Sequence, residues 1–180
     1  MRTSRLHGVL AVALAGIACS SNTTGSGVQT KFRATLLGAN EVPAVTSSAA
    51  ATAVFTISGN SVTYTLTVNT LPATAISSAH IHAGTATGGT TPAGVGGGQV
   101  RVTLCGGSVA PGNQACPTTA GGSVTGTWTY ASGTAAVEGT PTMTYNDLYT
   151  AVRTFVAYAN IHTSGNPGGE LRGQVVNQAQ

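Results

Sequence analysis

Charge is scarce in this 180-residue chain. Seven Lys and Arg and four Asp and Glu make only 6% of it charged, against roughly 25% in an average soluble protein. Arg2 and Arg5 lie in a leader argued below to be removed. That leaves Lys31, Arg33, Arg101, Arg153 and Arg172 against Glu41, Glu138, Asp147 and Glu170, a balance of +1. No basic stripe survives, so the electrostatic footprint of a nucleic-acid binder is missing and no nucleic acid is expected as a partner. Aromatics are 5% with a single Trp, and Trp128 and Tyr130 alternate with Thr127 and Thr129 as core or rim residues, not as a stacking platform for sugars or bases. Three cysteines are too few for a disulfide-dense scaffold. No Gly-x-Ser-x-Gly elbow and no phosphate-cradling loop occurs, and we assign no catalytic residue. No apolar run approaches the roughly 20 residues that span a bilayer.

The longest apolar run is Val9–Ala18, behind the basic segment MRTSRLHG. That is the length and layout of a secretory leader over residues 1–18. Cys19 follows at once, and "GIAC" resembles the lipobox of bacterial lipoproteins, with Gly16 in place of the usual Leu. The resemblance implies that Cys19 is lipidated and becomes the new N-terminus, with residues 19–30, including the Ser-, Thr- and Gly-rich SSNTTGSG, as a flexible tether. The expected location is therefore extracytoplasmic, on the bacterial cell envelope, with the membrane as partner through the lipid on Cys19. An unmodified cysteine behind an ordinary leader is the alternative, and it would make the protein secreted. Cys105 and Cys116 bracket the loop GGSVAPGNQA in an exported chain, and a disulfide between them is expected.

Gly, Thr, Ala, Ser and Val fill the chain in place of charge. From Lys31 the pattern has period two: Phe32, Ala34 and Leu36 alternate with Lys31, Arg33 and Thr35. ATAVFTIS runs through Gly59-Asn60 into SVTYTLTVN, where Val62, Tyr64, Leu66 and Val68 share a face opposite Ser61, Thr63, Thr65 and Thr67. This predicts a half-buried antiparallel hairpin. Further strands are expected near 75–82, 98–104, 122–130, 155–162 and 170–176. NDLYTAVRT has helical spacing, with Asn146 as a cap, and predicts one short helix. Residues 84–97 are a long Gly-rich loop, of a length that in compact domains usually serves a function. The expectation is an all-β, Greek-key antiparallel β-sandwich of superoxide-dismutase-like or immunoglobulin-like architecture over residues 31–176, with residues 177–180 as a tail.

Histidines stand out in so uncharged a chain. His80 and His82 lie one residue apart in AHIHAG. On a strand they point to one face, with Cβ atoms about 6.5 Å apart, so one ion can reach both. His162, at the end of FVAYANIH, is the remaining histidine of the mature chain. Three imidazoles suit copper, or less well zinc, and not the oxygen-seeking calcium or magnesium. Glu41 and Glu170 are the nearest carboxylates for a fourth ligand or for a partner that supports the site from outside, and Arg172 is a further charged side chain for that supporting role. Glu170 and Arg172 can equally form a structural ion pair, with each other or with Glu41, and Glu41 a corner pinned by Pro43. At the ordinary imidazole pKa, metal affinity should fall below about pH 6.5.

LLGANEVPAV, AHIHAG and YANIHTSGNPGGELRGQVV, in that order, resemble the CHRD domain, named after chordin. The likeness spans about residues 31–176 and implies an extracellular or exported β domain, while the family's biochemical role is loosely defined. A His-x-His strand, a later strand ending in His and a Gly-rich segment with Arg are also similar to the copper half of copper/zinc superoxide dismutases. That likeness implies His80, His82 and His162 as copper ligands and Arg172 as a guide for superoxide. No histidine lies between His82 and His162, so the bridging ligand and the zinc site of those enzymes are missing. The sequence thus points to an exported, membrane-anchored metal-binding domain without enzymatic activity. A structural, adhesive or protein-interaction module without metal is the first alternative, and a dismutase-like copper redox enzyme the second.

Overall fold

A computed structural model describes residues 30–59, 61–83, 98–108, 112–129, 150–154 and 156–178. The leader, Cys19, the tether, the loop 84–97, Tyr130 and most of the expected helix lie outside the described residues, but its last turn is present at residues 150–153.

Among the described residues nine strands follow one another: β1 (Lys31–Leu37), β2 (Ala50–Ser58), β3 (Ser61–Thr70), β4 (Ile76–Ala83), β5 (Gln99–Cys105), β6 (Ser123–Thr129), β7 (Ala157–Thr163), β8 (Leu171–Gln174) and β9 (Val176–Asn177). The fold is all-β and antiparallel, as the period-two pattern predicts, and it is sandwich- or barrel-like: one nearly closed sheet in the order β5-β4-β7-β8-β1-β2-β3-β6, with β9 on β1. The two end strands, β5 and β6, approach each other across the remaining seam. Around that seam the order is β3, β6, β5, β4, a Greek-key arrangement.

The β2–β3 hairpin shows how the sequence sets the register. Phe55 pairs with Tyr64 and Ile57 with Val62, so the apolar members of both strands point inward together and a one-residue slip would expose them all. Gly59 takes the turn at φ 55°, a left-handed conformation that costs glycine nothing. Inside, Trp128 from β6 packs edge-on against Phe55, with ring centroids 6.3 Å apart, and tilts against Tyr64 at 5.9 Å. Gly126 makes room for this, since a Cβ there would fall 2.4 Å from the Tyr64 hydroxyl.

One hydrogen bond crosses the interior to β5, and a disulfide closes the loop that leaves it. The Tyr64 hydroxyl donates to the Leu104 carbonyl at 2.7 Å, joining β3 to β5 through the interior. Burial pushes that phenol up to about 12, so it stays a donor. The expected Cys105–Cys116 disulfide is formed, with Cα atoms 5.0 Å apart.

Candidate metal centre

The three histidines come together on the outer face of β4 and β7. In the ladder Ser78 pairs with His162, His80 with Asn160 and His82 with Tyr158. Alternation therefore places Ser78, His80 and His82 on the same face as Tyr158, Asn160 and His162. The inward residues between them, Ile81, Ala159 and Ile161, are fully buried in the core. Ring centroids are 4.8 Å apart for His80 and His162, 5.8 Å for His80 and His82, and 6.0 Å for His82 and His162. One nitrogen from each ring lies within 4.8 Å of the others. A tetrahedral ion with metal–nitrogen bonds of about 2.0–2.1 Å holds its ligand atoms about 3.3 Å apart, so modest rotation about the side-chain bonds closes the set.

The hydrogen bonds fix which nitrogens are available. His82 Nδ1 lies 2.8 Å from the Gly98 carbonyl and His162 Nδ1 2.9 Å from the Pro167 carbonyl. A carbonyl only accepts, so each Nδ1 carries the proton and each Nε2 presents a lone pair. Those two Nε2 atoms, and Nδ1 of His80, are buried without a hydrogen-bond partner. Burial pushes the His80 imidazole down to about 4, helped by His162 and His82. Burial also takes His82 down to about 4 against the pull of the Gly98 carbonyl, with His162, Arg172 and Arg101 pushing the same way. His162 is lowered by burial more than its bond to Pro167 raises it. All three are thus neutral at pH 7, the state in which imidazole ligates metal. The affinity threshold expected at pH 6.5 moves down accordingly.

Around the histidines lies a polar layer. The Tyr158 ring stacks on His82 at 4.8 Å and an interplanar angle of 5°. The Arg172 guanidinium sits 3.5 Å from the Tyr158 ring centre and is 3% exposed. β7 lies between β4 and β8, so His82, Tyr158 and Arg172 form a row across three strands. Alternation in YANIH puts Tyr158, Asn160 and His162 on one face, a signal in the sequence that our reading did not use for the first two. Arg101 is a larger surprise. On β5, Val102 pairs with Ile81 and Val100 with His82, so Arg101 is the extra residue of a bulge, which re-aims a side chain. It is fully buried, and its Nε donates to the Ala83 carbonyl at 3.3 Å.

The carboxylates stand apart from the cluster. Glu170 accepts from Ser47 Oγ at 2.6 Å and Thr163 Oγ1 at 3.1 Å, and from the Asn166 side chain. Burial alone would raise its pKa, but these three bonds together hold it below the ordinary value. Its work is to pin the β7–β8 turn to the segment before β2. Glu41 follows the 3-10 turn Gly38–Asn40 and precedes the cis Val42–Pro43 bond, the corner that ANEVP predicts. Its side chain turns inward and accepts from Asn160 Nδ2 at 3.3 Å. Burial raises it to about 6, against the Arg172 charge. Gly169, at φ 136°, lets the backbone pass; a Cβ there would fall 2.6 Å from Glu41 Oε1. The groups bonded to the imidazoles of His82 and His162 are the Gly98 and Pro167 carbonyls.

Fold and site define an all-β domain whose three sequence motifs meet at one buried polar face. A family model, the CHRD domain, matches residues 32–175, and the chain belongs to that family. No curated protein and no solved structure matches it. The fainter likeness to superoxide dismutases is not borne out, and Arg172, cast there as a guide for superoxide, is buried against Tyr158.

Proposed function

We propose that this CHRD-domain protein is a non-enzymatic metal-binding domain that takes one copper ion, or zinc, through His80, His82 and His162. The observation that carries this reading is a group of three imidazoles converging from two strands, each with a buried nitrogen that has no partner, two of them fixed as lone pairs by their Nδ1 bonds. Leaving such groups unsatisfied costs about 1–3 kcal/mol each; one cation satisfies all three. His82 weighs most, because it is 8% exposed and its tautomer aims the free nitrogen at the cluster. The burial of Arg172 favours a binding site over a dismutase, which needs a guanidinium facing incoming anions. The leader and Cys19 support an extracytoplasmic, lipid-anchored location on the cell envelope, where the domain would handle metal or meet a protein partner.

Calorimetric titration of the wild type and His82→Ala with copper and zinc tests the reading. One ion per wild-type chain and binding weakened at least about tenfold in the variant are expected; equal binding by both would remove the histidines from the site. Copper-loaded protein should clear superoxide no faster than a free-copper control. Intact mass of the membrane fraction should show a diacyl or triacyl adduct on Cys19.

A further inference from the structure

We propose that Tyr158, braced by Arg172, is the positioning residue of this centre. It fixes the His82 ring before an ion arrives, so that His82 is the anchor ligand and His80 the one that closes the set. The inference rests on the three-imidazole reading above and adds how firmly each ligand is held in advance.

The sheet register builds the brace. Tyr158 lies directly opposite His82 on β4, and on β8 its partner is Gln174 while Arg172 pairs with Asn160. Arg172 is thus the diagonal neighbour of Tyr158, a separation that a long side chain spans. The two partners come to the phenol ring from the strands on either side of it. The Tyr158 and His82 rings are 4.8 Å apart at 5°, the parallel contact that offset aromatic rings favour. Arg172 Cζ lies 3.5 Å from the centre of the Tyr158 ring, within the reach of a cation–π contact. All three side chains are buried, so water does not compete for these faces.

The three histidines are not held alike. His82 is gripped on its face by Tyr158 and at Nδ1 by the Gly98 carbonyl, 2.8 Å away. The Tyr158 hydroxyl reaches the same Gly98 backbone, which ties the face contact to the edge contact. His162 is held at its edge by the Pro167 carbonyl, with its ring tilted against the other two. His80 stands edge-on to His82 and tilted to His162, and its buried Nδ1 has no partner. A ring held at both face and edge keeps one orientation. Such a ligand gives up little freedom when it binds, whereas a loosely held one loses rotamers at that moment. Removing the face contact would move that cost into the binding step.

The test is calorimetry of the full chain with zinc and with copper, on the wild type, Tyr158→Leu and Tyr158→Phe. Tyr158→Leu should still take one ion but bind it about tenfold more weakly, the lower end of the loss seen for groups that orient ligands. Tyr158→Phe keeps the stacked ring and should stay within about threefold of the wild type. Equal affinity in Tyr158→Leu and wild type overturns the positioning role and leaves the three-histidine site standing. A Phe variant as weak as the Leu variant also overturns it, since the ring would then not be what matters. No binding of either ion by the wild type removes both readings. Proton NMR of the metal-free chain separates positioning from a merely structural role. The face of Tyr158 should shield the His82 ring protons in the wild type and in Tyr158→Phe, and that upfield shift should vanish in Tyr158→Leu. If Tyr158→Leu does not fold, side-chain relaxation in the metal-free wild type carries the test. The His82 ring should be clearly more ordered than the His80 ring, and equal order in the two overturns the proposal.

Discussion

The two halves of the sheet treat their outer faces in opposite ways. On β3 burial alternates without exception from Ser61 to Val68: Val62, Tyr64, Leu66 and Val68 are buried, and the Ser and Thr between them face outward. Their hydroxyls pair across to β6, Thr63 with Thr127 at 3.1 Å and Thr67 with Ser123 at 2.8 Å. This is the ordinary economy of an antiparallel sheet with one wet face. On β7 every residue except His162 is buried, on both faces. The covered outer face holds Tyr158, Asn160, His82 and Arg172, with Glu41 folded over it. Buried polar atoms normally find partners. Here Glu41 Oε1, Asn160 Oδ1 and one nitrogen of each histidine do not. A chain with so little charge gathers four buried charged side chains, Glu41, Arg101, Glu170 and Arg172, in the half that carries the histidines. One half carries the alternating apolar core strands, and the other carries the three-histidine grouping.

That division can be broken by substitution. Trp128→Ala, in the apolar half, should cost about 3–5 kcal/mol in denaturant unfolding while leaving metal stoichiometry unchanged; loss of metal binding in a folded variant would show that the halves are not independent. Replacing Cys105 and Cys116 together by Ser opens the loop after β5 and should cost about 3 kcal/mol. His162→Ala, in the polar half, should weaken metal binding at least about tenfold to a hundredfold, the loss found even for outer-shell partners of ligands. Its unfolding free energy without metal should fall by about 1 kcal/mol, because one bond to the Pro167 carbonyl is lost while an orphaned nitrogen is removed with it.

Acid sharpens the comparison. His80 and His82 titrate at about 4 in the folded chain and near 6.5 once unfolded. Between those values the unfolded chain binds protons that the fold refuses, so the metal-free protein loses stability as pH falls from about 6.5 toward 4. Glu41, raised to about 6 from an unfolded value near 4.3, acts in the opposite direction, adding stability as pH falls through that window. Glu41→Gln should therefore steepen the acid loss of melting temperature. Metal should remain bound at pH 5.5 and be released as pH approaches 4. The smallest effect belongs to the wet face: Thr63→Val should shift unfolding by no more than about 0.5 kcal/mol.

Much of this was legible in the residues. Period two in KFRATLL and SVTYTLTV depends only on which side of a strand meets the core, and the strands lie where it puts them. His80 and His82 share a face for the same reason. The third ligand was reached by counting histidines and by resemblance, but what joins His162 to them is the Ser78–His162 pairing, a long-range register that no local pattern encodes. Arg101 was invisible as a buried charge, because the bulge that turns it inward exists only once β5 is paired with β4. The Gly98 and Pro167 carbonyls were equally hidden: any residue has a carbonyl, and only the folded backbone aims these two at imidazoles.

X-ray absorption at the metal edge of the copper-loaded full chain tests the central claim most directly. The account predicts three nitrogen scatterers at about 2.0 Å with the outer-shell pattern of imidazole, falling to two in His82→Ala. Oxygen-dominated scattering, or a spectrum unchanged by that substitution, would contradict it.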